Sequence, residues 1–459
     1  MLSRPEIRPA KLLSNHSYQH PNKLLINESF YSVPFDHFEP DGRQLRIFCR
    51  TAEPFAKAVN PSDEKKDSQL PLITYIQGGP GFGCAHPASM PATEILLAKG
   101  YKMVYIDHRG MGLSNTVTAA TLQKEGDDAA QAEYLTHFRA PYAVCDLEAI
   151  RMAMTAEYPE NARQWSIMGQ SYGGFVSTSY LSMYPGGLRE SFIFGGLPPV
   201  SDRSPDNVIR RFIPKLKQRN NLYYEKFAGD VSRLAAIVSY LKKHDGVSMP
   251  DGGVLSPGRL LEMGIGLGMS EGFIGVHDKI VRASNDLDMF GELTRPTLEA
   301  LADSTSFDVA VIYALLHEPI YAQGEATNFA FDRMVAEDAD FDYTKERSRY
   351  EFTGEMVFSR VYDDYSELRS LKKVAQIIHE KKDWPDLYDT EQLKRNEVPV
   401  YAAVYVNDLY VAMESALETA SIIKGCKVFM SNQLHHNAVR AKAKEVVEAL
   451  FALRDDVID

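Results

Sequence analysis

Apolar positions along this chain fall into two rhythms. Leu72-Ile73-Thr74-Tyr75-Ile76, Met103-Val104-Tyr105-Ile106, the run from Trp165 to Met168, and Ser191 to Gly195 are short and almost continuously apolar. Such runs predict strands buried on both faces. Ser29 to His37 and Gln44 to Thr51 alternate, predicting two further strands joined by a turn at Pro40-Asp41-Gly42. Between the runs the period becomes helical: Pro141 to Tyr158 reads as an amphipathic helix, and Phe175 to Tyr184 as a helix stopped by Pro185-Gly186. Strands alternating with helices imply right-handed crossovers and a mostly parallel, doubly wound α/β sheet.

From about Ser201 to Arg395 the strands give way to helical patterns, at Asn207 to Lys217, Leu222 to Lys243, Arg259 to Leu267, Thr297 to Ala302, Val309 to Leu316 and Ser366 to Lys382. This is too much chain for one crossover, so an inserted, mainly helical domain is expected over the active edge of the sheet. Val398 to Tyr405 and Lys427 to Met430 resume the sheet, and a helix over Ala438 to Leu453 closes the chain. The expected division is therefore 1–200 and 396–459 for the α/β core and 201–395 for the helical insertion. The lysine-rich stretch Asn60 to Gln69 is expected as a surface loop.

Length and composition narrow the function classes. With 459 residues, 44% hydrophobic and 24% charged, the chain can bury a large core. Acidic residues outnumber basic ones, 62 to 50, for a net charge of -12. That balance argues against a nucleic-acid surface. Met1 to Leu25 has no apolar stretch typical of a secretion signal, and no run approaches bilayer length, so no membrane association is expected. The cysteines Cys49, Cys84, Cys145 and Cys426 are scattered, without metal spacing, which points to a reducing, cytoplasmic setting and no metal.

The chemistry centres on Gly169-Gln170-Ser171-Tyr172-Gly173, which lies between a buried strand and a helix. Five residues of this type occur by chance in glycine-containing loops; the flanking strand and helix mark a nucleophile elbow. Gly169 and Gly173 are small because a side chain at either would strike a neighbouring strand or helix. A serine nucleophile needs a base and an acid to orient it, and on this scaffold they follow in the order Ser, Asp or Glu, His, on loops after strands. Asp408 follows the run ending at Val406. His435 and His436 follow the run ending at Met430, and pattern alone does not choose between them.

Gln77-Gly78-Gly79-Pro80-Gly81, Asp107-His108-Arg109-Gly110-Met111-Gly112-Leu113-Ser114, Gly169 to Gly174 and Gly195-Gly196-Leu197-Pro198-Pro199 come in order over about 120 residues. With Asp408-Leu409-Tyr410-Val411 and His436-Asn437-Ala438-Val439-Arg440, they resemble the prolyl aminopeptidase (proline iminopeptidase) family of α/β-hydrolases, in its longer form with a large helical cap. The family shows His-Asn-Gly-Leu-Arg at the last motif, which aligns its catalytic histidine with His436. The resemblance implies a catalytic Ser171, Asp408 and His436. It also implies an oxyanion hole from the backbone N–H groups of Tyr172 and Gly79. The family begins its first motif with histidine where this chain has Gln77, but the glycines that supply the amide are retained. Arg109 is expected to brace loops rather than to act chemically.

In this family cap glutamates bind the free amino terminus, and an ammonium buried without a carboxylate would be costly. His317-Glu318-Pro319-Ile320-Tyr321 and Phe352-Thr353-Gly354-Glu355-Met356 resemble the corresponding cap segments, which implies Glu318 and Glu355 as amine anchors, with Glu325 as a replacement. Phe329, Phe331, Phe352 and Phe358 are candidates for a proline slot. The expected function is a cofactor-free serine exopeptidase that releases an N-terminal residue, preferably proline, from small peptides with a free N-terminus. A carboxylesterase or amidase on the same scaffold is the first alternative, and a non-catalytic ligand-binding relative the second. The sequence is silent on oligomeric state.

Overall fold

The computed structural model describes residues 2–55, 69–304 and 307–456. Of the stretch 60–69 expected as a surface loop, all but Gln69 lies outside the described residues. The strands are β1 (Lys11–His20), β2 (Leu24–Pro34), β3 (Gln44–Pro54), β4 (Leu72–Ile76), β5 (Lys102–Ile106), β6 (Trp165–Gln170), β7 (Leu188–Phe194), β8 (Val247–Ser248), β9 (Val254–Leu255), β10 (Val400–Tyr405) and β11 (Cys426–Ser431). Among the described residues nine of them form one sheet in the order β1-β2-β3-β5-β4-β6-β7-β10-β11, and β8 pairs with β9 separately. The β1-β2, β2-β3 and β3-β5 pairs are antiparallel; every later pair is parallel. This mixed sheet with helices on both faces is an α/β-hydrolase core.

The principal helices are α1 (Pro91–Ala98), α2 (Ala140–Met154), α3 (Tyr172–Met183), α4 (Phe212–Lys226), α5 (Asp230–Lys243), α6 (Gly272–Phe290), α7 (Val311–Leu316), α8 (Ala330–Ala336), α9 (Lys372–Glu380), α10 (Met413–Ile422) and α11 (Ala443–Asp455). Alternation along β4 explains its continuous apolar run. Leu72 and Ile76 pack with Val144 and Leu147 of α2 and Val176 and Tyr180 of α3, while Ile73 and Tyr75 pack on the other face with Leu96 of α1 and Val446 and Leu450 of α11. No described helix is long and apolar enough to cross a membrane.

β1 and α6 are among the elements with no counterpart in the sequence reading. β1 is exposed along nearly its whole length, so neither face imposes an apolar period on it. α6, the longest of these helices, buries only Val276, Ile280, Ala283 and Asp286, a stripe too narrow to stand out among its polar neighbours. The expected helix over Leu222 to Lys243 is divided, with α4 ending at Lys226 and α5 starting at Asp230. The chain leaves helical geometry at Phe227, with φ -125° and ψ 62°.

Arg109 ties several of these elements together. Its guanidinium is fully buried and meets Asp146 of α2 through Nε and Nη2, each at 2.7 Å. It also donates to the carbonyls of Phe35, at 2.8 Å, and His137, at 3.0 Å. Burial alone would raise the Asp146 carboxyl, but the adjacent guanidinium holds it below its usual range. Arg109→Met should leave that carboxylate buried with His37 alone beside it, at 2.8 Å. The expected loss is about 3–5 kcal/mol of unfolding free energy, read from urea denaturation.

Candidate active site

The loops at the carboxyl ends of β4, β6, β10 and β11 converge on one place, as open α/β sheets require. Ser171 follows β6 with φ 55° and ψ -126°, a left-handed backbone that non-glycine residues avoid at a cost of about 1–3 kcal/mol. The bend is fixed by two bonds, Ser171 N–H to the Phe194 carbonyl at 3.1 Å and Gly174 N–H to the Ser171 carbonyl at 2.7 Å. Its glycines are there for want of space. A Cβ on Gly173 would overlap the Ile76 carbonyl at the end of β4, and one on Gly169 would overlap the Gly173 carbonyl and the Ser177 hydroxyl.

His436 Nε2 lies 2.9 Å from Ser171 Oγ, and its Nδ1 lies 2.9 Å from Asp408 Oδ2. Asp408 Oδ1 accepts the backbone N–H groups of Tyr410 at 2.7 Å and Val411 at 3.1 Å, which orients the carboxylate and leaves Oδ2 for the imidazole. The Tyr410 ring stacks on His436 with centroids 4.2 Å apart. Burial disfavours a charged His436, but the Asp408 charge and hydrogen bond, with Glu355 farther off, outweigh it and raise the imidazole above its ordinary value. With Nδ1 donating to Asp408, Nε2 is free to accept the Ser171 proton. His435 makes neither contact; burial, with Arg219 nearby, depresses it.

Ser171 and His436 open into a cavity of about 650 Å³ that is also lined by Gln77, Gly78 and Gly79. The N–H groups of Tyr172 and Gly79 have no acceptor among the described residues. Asp107, after β5, accepts from Cys84 N–H at 2.6 Å and Leu113 N–H at 2.9 Å, anchoring the loop that carries Gly79. Where the resemblance expects histidine, the Gln77 amide oxygen accepts from Arg440 at 3.4 Å.

The same cavity is lined by the carboxylate of Glu355. Tyr313 donates its phenol to Glu355 Oε1 at 2.6 Å, and His317 Nε2 stands 3.4 Å from Oε2. Burial, with the Glu355 charge beside it, pushes the Tyr313 phenol well above its usual range, so it remains a donor. Glu318 does not line this cavity. Its side chain is fully buried, accepts the N–H groups of Ala330 and Phe331 at the start of α8 at 3.0 and 2.8 Å, and lies 3.1 Å from His379 Nδ1. Those partners satisfy both oxygens. Glu325 is exposed and also off the cavity.

The four phenylalanines singled out in the sequence do not line it either. Phe331, Phe352 and Phe358 are core, and Phe329 stacks on His379. Phe82, Phe307, Tyr313 and Tyr410 supply the aromatic wall instead. Of these, Tyr410 had a signal, since it lies two residues beyond Asp408 in the same motif. Phe82, Phe307 and Tyr313 had none, because distant stretches of chain bring them together.

The chain is similar to known proteins over its whole length. A family model described as serine aminopeptidase, S33, matches residues 81–237. The chain is 39% identical over 459 residues to the proline iminopeptidase aneH of Aspergillus aculeatus, covering 100% of both. It is 32% identical over 428 residues to a proline iminopeptidase of Aeromonas sobria, covering 93% of this chain and 96% of that one. A solved proline iminopeptidase structure from Mycobacterium smegmatis covers 93% of this chain and 98% of that one at 15% identity, with a TM-score of 0.39, too low to bear on function.

The pH response of Ser171 follows from its partner. A fluorophosphonate should label Ser171 at a rate that falls as pH drops through a value above 6.5, because a protonated His436 cannot take the hydroxyl proton. Asp408→Asn should slow labelling by about 10³–10⁴-fold. Gly173→Ala should drive a Cβ into the Ile76 carbonyl and abolish labelling together with cooperative thermal unfolding, read by mass spectrometry and circular dichroism.

Proposed function

This chain belongs to the proline iminopeptidase family of serine aminopeptidases, and we propose that it is a prolyl aminopeptidase acting on peptides with a free amino terminus. Ser171 Oγ attacks the first peptide carbonyl while His436 takes its proton. The N–H groups of Tyr172 and Gly79 hold the developing oxyanion, a contribution of about 3–4 kcal/mol for each such donor. His436 then returns the proton to the leaving amine. Water, deprotonated in turn by His436, releases the terminal residue from the acyl-enzyme. Asp408 keeps Nδ1 protonated and stabilises the imidazolium.

One observation carries the exopeptidase reading: a largely buried carboxylate, Glu355, faces the same cavity as Ser171. A neutral ester gives such a group nothing to bind, whereas the ammonium of a chain end needs it. We place amine recognition on Glu355, held by Tyr313 and His317, and give Glu318 the task of fixing the start of α8. Phe82, Phe307 and Tyr313 supply the apolar surface for the pyrrolidine ring. Residues 201–395 serve as a cap that admits chain ends and blocks internal peptide stretches. The four cysteines are all free, which supports a cytoplasmic protein.

A proline arylamide, its N-acetylated twin and a simple aryl ester distinguish the alternatives. The free-amine amide should be the one turned over. Equal cleavage of the acetylated amide, or cleavage of the ester alone, would overturn the assignment. Glu355→Gln should lower kcat/KM for the arylamide by about tenfold or more, mainly through KM, since an ammonium–carboxylate hydrogen bond is lost.

A further inference from the structure

Arg440 has no task in the chemistry above. It follows His436 by four residues, in the short helix Ala438–Ala441, and lines the cavity beside Gln77 and Asn437. Among the described residues no carboxylate lies within 4.0 Å of its guanidinium, and of the side chains lining the cavity it is the one lysine or arginine. Its guanidinium donates a long bond, 3.4 Å, to the Gln77 amide oxygen and lies beside the buried Tyr75 phenol. A guanidinium is a planar fork suited to two carboxylate oxygens, and this one faces a substrate cavity with most of its donors free.

Arg440 and Glu355 line the same cavity and carry opposite charges. Glu355 lies on the wall built by the helical segment, with Tyr313 and His317, and marks the end where the amino terminus sits. Arg440 is carried instead by the stretch that brings in His436, the group that hands its proton to the leaving amine. An ammonium and a carboxylate at the two ends of one short peptide would therefore find opposite charges in the one cavity that also holds Ser171 and His436.

We propose that Arg440 binds the free C-terminal carboxylate of the leaving fragment, making di- and tripeptides with an unblocked carboxyl end the preferred substrates. The proposal rests on the prolyl aminopeptidase reading and adds a specificity-determining residue to it. No bond is made or broken by Arg440; its contribution appears in substrate affinity.

The test compares a prolyl dipeptide, the same dipeptide with a C-terminal amide, and a proline arylamide, on the wild-type chain and on Arg440→Gln and Arg440→Lys. The wild type should favour the free acid over the amide by about tenfold in kcat/KM, carried by KM. In Arg440→Gln that ratio should fall towards one, and in Arg440→Lys it should be partly restored. Equal handling of acid and amide by the wild type, which needs no variant at all, would overturn the proposal, as would a preference that survives in Arg440→Gln. Failure of the wild type to cleave the arylamide would instead overturn the aminopeptidase reading, and this proposal with it.

Discussion

A left-handed bend at one serine is the constraint on which the site depends. Ser171 holds φ 55° because β6 runs straight into α3, with the Phe194 carbonyl on one side of the turn and Gly174 N–H on the other. No single bond imposes that geometry. The sheet imposes it, since Ile76 on β4 closes over Gly173 so tightly that one methyl group will not fit. Strain at the nucleophile is thus held by the packing of the parallel strands, and the same packing aims the hydroxyl out of the strand ends.

Around the bend, each polar group is held by defined partners. Asp408 divides its oxygens between two backbone amides and one imidazole, and His436 lies against the Tyr410 ring. Asp107 ties the loop that bears Gly79, through the Cys84 amide, to the loop after β5, through the Leu113 amide. Tyr313 and His317 hold Glu355 in the same manner. The electrostatics follow from this order. Buried negative charge at Asp408 and Glu355 raises His436 against the effect of its own burial.

The two glutamates that the resemblance singled out show how far a motif reaches. Both are acidic, both lie beside aromatic residues, and both are largely buried. Glu355 lines the cavity, while Glu318 turns towards the first amides of α8 and towards His379. A carboxylate that already accepts two backbone N–H groups and an imidazole has little left to offer an ammonium. Local sequence cannot make that distinction, because the partners of Glu318 lie 12 and more residues away.

The sequence by itself determined the strands whose two faces are both buried, since β4, β5 and β6 carry apolar residues on both faces, and it determined the elbow, since only glycine fits at 169 and 173. It narrowed the triad to Ser171, Asp408 and one of two adjacent histidines. Tertiary structure decided what depends on which way a side chain turns: His436, not His435, meets Ser171 and Asp408, Glu355, not Glu318, lines the cavity, and its aromatic wall is Phe82, Phe307, Tyr313 and Tyr410 in place of four phenylalanines close together in the chain. β1 and α6 escaped notice for a related reason. An element that buries little surface leaves little period in its residues, and only its neighbours hold it in shape.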